Sequence, residues 1–353
     1  MINSFINAAE EMLGAELGSK WKVIERIKKN PAEDSGGWFS ISYIVESLDK
    51  EKKRAFLKAL DYKEAFKSPN LVDKINQMTA AFIFERNVLN TCKEKRLRRI
   101  ITSIDYGDFN VQNSPYPTQY LIFELADGNI RKYMKISKRL DTIWILKTIH
   151  QTAAGIQQLH LNGIAHQDIK PSNILTFNSN ITKICDLGRS SVKGENCPTD
   201  MFVIPGDKTY APPEFLYFAI PDDWNTKKYG YDLYTLGNLI VFLFSKGNVT
   251  ASIFERLSSD LHFNNWTGTY DEILPYINNA FNEFLISFSN DLPSDLRVEI
   301  VELVRQLCNP DPYKRGYPKN LNSKHRQFSL EQYISKLDIM IKKVEYGFWR
   351  TNR

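Results

Sequence analysis

The sequence predicts an α+β protein with two lobes, a smaller β-rich lobe followed by a larger helical one. Between residues 21 and 125 the sequence is mostly strand-like, as in WKVIERI at Trp21–Ile27, and contains one principal helical stretch at 71–95. After residue 126 helical periodicity dominates, beginning with the amphipathic segment 143–162. The 353 residues, 42% of them hydrophobic, are enough for two units with substantial cores.

Four segments follow from this change in pattern. Residues 1–20 form an N-terminal extension, for which we predict a short amphipathic helix, and residues 21–125 form the first lobe. Residues 126–320 form the second lobe, and residues 321–353 form a C-terminal extension with one further helix, SLEQYISKLDIMIKKV. The lobes meet at the short segment ELADG, residues 124–128, and a cleft between two lobes is a common place for a cofactor.

Charge distribution does not require a nucleic-acid partner. The net charge of +5 comes from 46 basic and 41 acidic residues that are well mixed along the chain. The densest basic run is KEKRLRR at 93–99, which is typical of a solvated helix end; a surface for an anionic partner is the alternative. We therefore expect no nucleic acid among the partners.

Cysteine usage and hydropathy indicate a cytoplasmic protein without membrane association. The four cysteines form no C-x-x-C pair, which argues against a zinc site or a disulfide framework and suits a reducing compartment. The longest apolar run, at 239–244, is far shorter than the ~20 residues that cross a bilayer. The first residues, MINSFINAAEEMLGAEL, lack the basic start and apolar stretch of a secretory signal.

The stretch HQDIKPSNIL carries groups suited to phosphoryl transfer. Pro171 argues against a helix, so the segment is a shaped loop. It presents Asp168, Lys170 and Asn173, which can accept a proton, neutralise a moving phosphate and offer a hard oxygen to Mg²⁺. A second acid, Asp186, follows in ICDLG at the end of an apolar strand, where a carboxylate can hold a metal.

Five motifs in order resemble those of the protein kinase family. HQDIKPSNIL resembles the catalytic loop H-R-D-L-x-x-x-N, and DLG at 186–188 resembles the metal-binding D-F-G motif. YAPPE at 210–214 resembles the A-P-E element that closes the activation segment. YDLYTLG at 231–237 resembles the start of the helix that supports the catalytic loop, and DPYKRG at 311–316 resembles the segment whose arginine pairs with the A-P-E glutamate. The resemblance spans residues 21–317.

This resemblance implies a bilobal protein-kinase-like fold and an enzyme that uses ATP and Mg²⁺ to phosphorylate Ser or Thr hydroxyls of protein substrates. It implies that Asp168 orients and deprotonates the acceptor and that Lys170 steadies the γ-phosphate. Asn173 and Asp186 are implied to hold Mg²⁺. The pair Lys170-Pro171 resembles the Ser/Thr class more than the tyrosine class.

The same resemblance implies two structural contacts in the second lobe. Asp232 is expected to hydrogen-bond the backbone of the catalytic loop. Glu214 and Arg315 are expected to form a largely buried ion pair.

The first lobe resembles the family less closely. RAFLKAL resembles V-A-I-K, which makes Lys58 the cation for the α- and β-phosphates. Glu85, within FIFERNVL, is its expected partner. Where the lobes meet, Glu124 and Ala126 are expected to contact the nucleotide.

The glycine-rich loop is depleted in glycine. SGGWFSISY occupies its position, and only one glycine falls where the family motif has one. Gly36, Gly37 and Ser40 are expected to cover the phosphates through backbone N–H groups, since serine is small enough for this role.

Gln167 departs from the family pattern at a position that is involved in regulation in many members of the family. Many protein kinases have an arginine there that pairs with a phosphate on the activation loop. Glutamine is neutral and cannot make that bidentate charged contact, so we hypothesise that activity does not depend on this pair. Hydroxyls available for autophosphorylation remain between residues 189 and 210, at Ser190, Ser191, Thr199 and Thr209.

A second departure concerns the acceptor side of the site. Counting back from YAPPE, Asp207 stands where many Ser/Thr kinases have a threonine that contacts the catalytic aspartate and lysine. The alternative count places Thr209 there.

Two alternatives to a protein kinase activity stay open. A pseudokinase is favoured by the depleted glycine-rich loop and opposed by the intact Lys58, Asp168, Asn173 and Asp186. A small-molecule phosphotransferase of related fold would share the same core, but the YAPPE element and Arg315 favour a protein substrate. The sequence indicates neither the identity of the substrate nor the oligomeric state.

Overall fold

The computed structural model describes residues 6–28, 39–112, 114, 116–136, 141–323 and 326–351. These residues form two lobes, the first built on an antiparallel sheet and the second on helices. The predicted bilobal α+β fold is therefore confirmed.

Six strands form the first-lobe sheet: β1 (Glu16–Leu17), β2 (Trp21–Ile27), β3 (Ser40–Ser47), β4 (Arg54–Leu60), β5 (Ser103–Phe109) and β6 (Thr118–Glu124). Their order across the sheet is β1-β2-β3-β4-β6-β5, and neighbouring strands are antiparallel. The sheet is a meander except that β6 lies between β4 and β5, which makes β4 a central strand.

The alternation of side chains along β4 directs Lys58 away from the sheet core. Ala55, Leu57 and Ala59 are fully buried on one face, where they pack with residues of β2 and β3. Because successive side chains of a strand point to opposite faces, Lys58 projects from the other face. That face is covered by a long helix, α1 (Leu71–Glu94).

Helix α1 matches the predicted helical stretch and has a buried face with regular spacing. Its buried side chains recur every three or four residues, as expected for one face of a helix: Ile75, Met78, Phe82, Glu85, Val88, Leu89 and Cys92. Glu85 belongs to this face. Packing of the apolar stripe therefore also fixes the direction of the Glu85 carboxylate.

The second lobe is built around two helices that pack against each other. Its helices are α2 (Ile130–Ile136), α3 (Thr142–Leu161), α4 (Pro213–Leu216), α5 (Gly230–Ser245), α6 (Val249–Phe254), α7 (Tyr270–Ser289), α8 (Arg297–Leu307) and α9 (Glu331–Thr351). Helix α5 buries most of its residues and packs against α3, which buries one face. The helix predicted near the C-terminus is α9, which packs against α3 and buries Tyr333 and Leu337.

The second lobe also contains five short strands, which flank its loops: β7 (Gly128–Asn129), β8 (Ile164–Ala165), β9 (Ile174–Phe177), β10 (Ile181–Ile184) and β11 (Ser191–Val192). β9 and β10 form an antiparallel hairpin that joins the catalytic loop to Asp186. β11 pairs with β8, so the chain beyond Asp186 returns to the start of the catalytic loop.

The amphipathic helix predicted for the first 20 residues is wrong for the part that is described. Residues 6–20 consist of turns and β1, because Gly14 and Gly18 have φ values of +83° and +55°, which interrupt a helix. This segment is nevertheless part of the first lobe. Met12 is fully buried against the sheet, and the Tyr43 hydroxyl donates to the Ala9 carbonyl at 2.7 Å.

Glu124, the last residue of β6, is bonded to the second lobe. Its carboxylate accepts two bonds from Lys183 Nζ at 2.6 and 2.7 Å and one from the Thr102 amide at 2.8 Å. The segment between the lobes is thus held by an ion pair. Among the residues that the structure describes, no helix has the length and apolarity to cross a membrane.

The expected pair between Glu214 and Arg315 is fully buried. Arg315 donates from its two terminal nitrogens to the two carboxylate oxygens at 2.7 and 2.9 Å. Its guanidinium also bonds the carbonyls of Asn309 and Gly230. The pair therefore ties α4 to the start of α5 and to the segment after α8.

Glu214→Gln should lower the free energy of unfolding by about 3–5 kcal/mol, because it leaves a buried guanidinium without its counter-charge. Urea denaturation followed by circular dichroism measures this change. Lys342→Met, in the exposed pair with Asp338 on α9, is the matched control and should leave the midpoint almost unchanged. Equal midpoints for Glu214→Gln and wild type would contradict a structural role for the pair.

Candidate active site

A three-way ion pair joins the two lobes. Lys58 Nζ lies 2.9 Å from both carboxylate oxygens of Glu85 and 3.1 Å from Asp186 Oδ1. Lys58 comes from β4, Glu85 from α1, and Asp186 from the loop that follows β10. The structure thus brings together three side chains that are far apart in the sequence.

The two carboxylates stabilise the charge of Lys58. Burial opposes the positive charge of Lys58, but Asp186 and Glu85 outweigh it and raise the pKa of this ammonium above its ordinary value. The same ammonium lowers the pKa of Asp186, despite the burial of that carboxyl. Lys58 is therefore a cation and Asp186 an anion at neutral pH, the states needed to bind a phosphate and a metal.

The catalytic loop gathers the predicted acid, cation and amide. Lys170 Nζ lies 2.9 Å from Asp168 Oδ2, and both residues are almost completely buried. Asn173 Nδ2 donates to the Asp168 carbonyl at 2.9 Å and to its carboxylate at 3.0 Å. Burial raises the pKa of Asp168, and the charge of Lys170 offsets part of that effect.

Asp232 hydrogen-bonds the backbone of this loop, as expected. Its two carboxylate oxygens accept bonds from the backbone amides of Gln167 at 2.6 Å and His166 at 2.8 Å. Gln167 has φ +63°, a left-handed conformation that the two bonds help to hold. The sequence did not indicate the third partner, His160, whose Nε2 lies 2.8 Å from Asp232 Oδ2.

The segment before YAPPE passes directly over the catalytic aspartate. The Asp207 amide donates to Asp168 Oδ1 at 2.9 Å, and the Asp207 carboxylate lies 3.7 Å from Lys170 Nζ. Thr209 is exposed and donates to Asp207 instead. The alignment that places Asp207, and not Thr209, beside the catalytic aspartate and lysine therefore agrees with the geometry.

Gly206 is required by this close approach. A Cβ atom there would lie 2.3 Å from the Gln167 carbonyl oxygen and 2.9 Å from Asp168 Oδ1. Any side chain at this position would displace the catalytic loop or the segment above it.

A cavity of about 410 Å³ lies between the lobes and is lined by most of the predicted site residues. These are Ser40, Lys58, Glu85, Glu124, Ala126, Asn173 and Asp186. Two further predicted residues, Gly36 and Gly37, lie outside the described residues. Because the Glu124 carboxylate is already bonded to Lys183, a contact from this residue to a ligand would come from its backbone.

The oxygen donors at the inner end of the cavity fit Mg²⁺. Asp186 offers a carboxylate, and Asn173 uses its nitrogen for Asp168, which leaves its amide oxygen as the metal donor. In the part of the chain that is described, no group of three or more His, Cys, Asp or Glu side chains forms a metal site. A small donor set of this kind suits Mg²⁺, which usually takes one or two protein ligands together with phosphate oxygens.

A family model described as "Protein kinase domain" matches residues 51–325, more than three quarters of the chain. The chain belongs to the protein kinase family. The resemblance carried by the five motifs is thereby confirmed. The kinase match includes Lys58, Glu85, the catalytic loop and Asp186, and it ends before α9.

Several curated protein kinases are similar to this chain at low identity. The hormonally up-regulated neu tumor-associated kinase of Mus musculus is 28% identical over 56% of the chain and 24% of its own length. An Aurora kinase of Debaryomyces hansenii is 27% identical over 56% of the chain and 41% of its own length. A probable serine/threonine-protein kinase of Dictyostelium discoideum is 25% identical over 63% and 20%, respectively. The matched region thus spans less than half of each of these relatives.

Gly206→Ala should lower kcat for phosphoryl transfer by about 10²-fold, since displacement of a catalytic group by about 1 Å can cost that much. The KM for ATP should change little, because Gly206 is not among the residues that line the cavity. Initial rates at varied ATP concentration measure both constants.

The control for this substitution is Gly347→Ala, where an added Cβ meets no atom within 4 Å. It should retain the wild-type rate. A Gly206→Ala enzyme with normal kcat would show that the catalytic loop tolerates the crowding.

Proposed function

We propose that this chain is an active ATP- and Mg²⁺-dependent protein kinase that phosphorylates Ser or Thr hydroxyls of protein substrates. We further propose that its activity does not require an arginine before the catalytic aspartate. The observation that carries the proposal is the contact of Lys58 with Glu85 and Asp186 at the same cavity that Asn173 lines.

Each polar residue then has a defined task. Asp168 accepts the proton of the acceptor hydroxyl, and the bonds from Asn173 and Asp207 hold its carboxylate in place. Lys170 neutralises charge on the phosphoryl group as it moves, and Lys58 binds the α- and β-phosphates. Bound Mg²⁺, held by Asp186 and Asn173, would supply further positive charge to the phosphates.

A protein acceptor is favoured over a small molecule. The Glu214–Arg315 pair fixes the segment that precedes α4, and this segment runs over Asp168 at Asp207. An ordered chain beside the catalytic base is suited to present an extended peptide. The curated relatives support the Ser/Thr class, since one of them bears that name.

The pseudokinase alternative has less support. The residues proposed to bind phosphate, metal and acceptor are present: Lys58 contacts Glu85 and Asp186, and Asn173 contacts Asp168. The depleted glycine-rich loop remains in favour of this alternative, and its glycines lie outside the described residues.

A cytoplasmic location is likewise proposed, supported by the free thiols of Cys92, Cys185, Cys197 and Cys308.

Asp168→Asn should lower kcat by about 10²–10⁴-fold, the usual effect of losing a general base, with little change in the KM for ATP. A radiolabelled-ATP assay with a panel of peptides and metabolites measures transfer and identifies the class of acceptor. Asp291→Asn, an exposed carboxylate remote from the cavity, is the matched control. Thermal stabilisation of wild type by nucleotide and magnesium without transfer to any acceptor would favour the pseudokinase.

The rate of phosphoryl transfer should fall as the solution becomes acidic. The midpoint of this fall should lie at a higher pH than for a general base with the ordinary pKa of an aspartate. Burial raises the pKa of Asp168, so its ionised, proton-accepting form is lost as the pH falls through that raised value, above the ordinary ~3.9. The dependence of kcat/KM on pH measures the midpoint. Circular dichroism at each pH serves as the control for folding.

A second variant tests the cause of that midpoint. Because Lys170 lowers the pKa of Asp168, Lys170→Met should move the acid limb to still higher pH, in addition to lowering the rate. A wild-type rate that stays constant down to pH 4 would contradict the assignment of Asp168 as the base.

A further inference from the structure

Gln167 belongs to a largely buried polar network between the catalytic loop and the activation segment, residues 189–214. We call the four residues Gln167, Ser191, Asp200 and Lys228 the anchor network. Gln167 Nε2 donates to Ser191 Oγ at 2.7 Å and to the Arg189 carbonyl at 3.1 Å. The side chain next to the catalytic aspartate thus holds the first strand of the activation segment.

Ser191 is the centre of this network. Its hydroxyl accepts bonds from Gln167 and from Lys228 Nζ, the latter at 3.0 Å, and it donates to Asp200 Oδ1 at 3.4 Å. One hydroxyl can accept two bonds and donate one. Every hydrogen-bonding site of the Ser191 side chain is therefore used.

Lys228 and Asp200 supply the charges. Lys228 is 5% exposed, and its Nζ lies 2.9 Å from Asp200 Oδ1. The second oxygen of Asp200 accepts a bond from the Cys197 amide at 2.9 Å. Burial disfavours the charge of Asp200, yet the bonds from Lys228 and Cys197 outweigh it and lower the pKa of this carboxyl. The Asp200 carboxylate, although its side chain is 44% exposed, thus links residues 197–200 to Lys228.

Lys228 also connects this network to the support of the catalytic loop. It lies in a single π-helical turn, Asn225–Tyr229, that continues directly into α5. Asp232, one turn further along, holds the backbone amide of Gln167, while Lys228 reaches the side chain of Gln167 through Ser191. The same stretch of helix therefore fixes the backbone of the catalytic loop and the activation segment beside it.

This arrangement explains why glutamine, and not arginine, stands before Asp168. Lys228 already places a positive charge on Ser191 Oγ. A guanidinium in place of the Gln167 amide would bring a second cation to the same oxygen atom, within a space that is almost closed to water. Glutamine supplies the required N–H donor without that repulsion.

Most hydroxyls of the segment are inaccessible. Ser190, Ser191 and Thr199 are at most 2% exposed, and each donates a bond to a neighbouring oxygen. A phosphate added to any of them would have to replace these bonds and enter a closed space. Thr209 is exposed and lies outside the anchor network.

We propose that Lys228 is a positioning residue for phosphoryl transfer, acting through Ser191, Asp200 and Gln167. The pair between buried Lys228 and the partly exposed Asp200 holds the activation segment in its catalytic arrangement in the unphosphorylated chain. The expected effect on kcat rests on the proposed function. The expected ordering of the activation segment does not, because it can be measured without activity.

Kinetics on phosphatase-treated protein test the assignment. Wild type should keep its full kcat after the treatment. Lys228→Met should lower kcat about tenfold or more while the KM for ATP changes less than about twofold, because the cavity residues stay in place. Lys228→Arg, which keeps the charge, should recover much of the rate, and Lys227→Met, on the same turn but outside the network, should behave as wild type.

Hydrogen–deuterium exchange tests it without reference to activity. In Lys228→Met and in Asp200→Asn, the amides of residues 189–203 should exchange faster than in Lys227→Met, with the sheet of the first lobe unchanged. Unchanged exchange in that segment, or loss of wild-type activity on phosphatase treatment, would overturn the proposal. A wild-type chain that transfers no phosphate, but whose segment loosens in Lys228→Met, would reject the proposed function and retain the anchor.

Discussion

The contact of one ammonium group with two carboxylates is the interaction on which the rest of the site depends. Lys58 belongs to the first lobe, whereas Asp186 belongs to the second, and Glu85 lies on the helix between them. Removal of Lys58 would leave two neighbouring carboxylates without a counter-charge in a largely closed space. The side-chain alternation of β4, the buried face of α1 and the β9–β10 hairpin all serve to bring these groups to one point.

Local patterns were sufficient for much of this architecture. RAFLKAL resembled a strand motif of the family and forms β4, in which Lys58 lies on the face opposite Ala55 and Leu57. The helical period of 71–95 indicated α1, and Pro171 argued against a helix at the catalytic loop, where the structure has one short 3-10 turn, Pro171–Asn173. These features depend on neighbours in the sequence, which is why the sequence alone reveals them.

Contacts between distant segments could not be predicted in the same way. Nothing near His160 indicates that it meets Asp232, and nothing near Gln167 indicates Ser191 or Lys228 as neighbours, since packing of whole elements decides these contacts. The choice between Asp207 and Thr209 needed the path of the chain above the catalytic loop. In residues 6–20 local periodicity was misleading, because two glycines in left-handed conformations outweighed the amphipathic pattern.

The first lobe extends further toward the N-terminus than the match to the family model does. The family match begins at residue 51, yet β1, β2 and β3 precede it, and β3 pairs with β4 along its full length. A fragment cut at residue 51 would convert the strand that carries Lys58 from an interior strand into an open edge with unsatisfied N–H and C=O groups. In this chain, the unit that keeps β4 an interior strand is therefore defined by the hydrogen-bond ladder of the sheet and starts before residue 51.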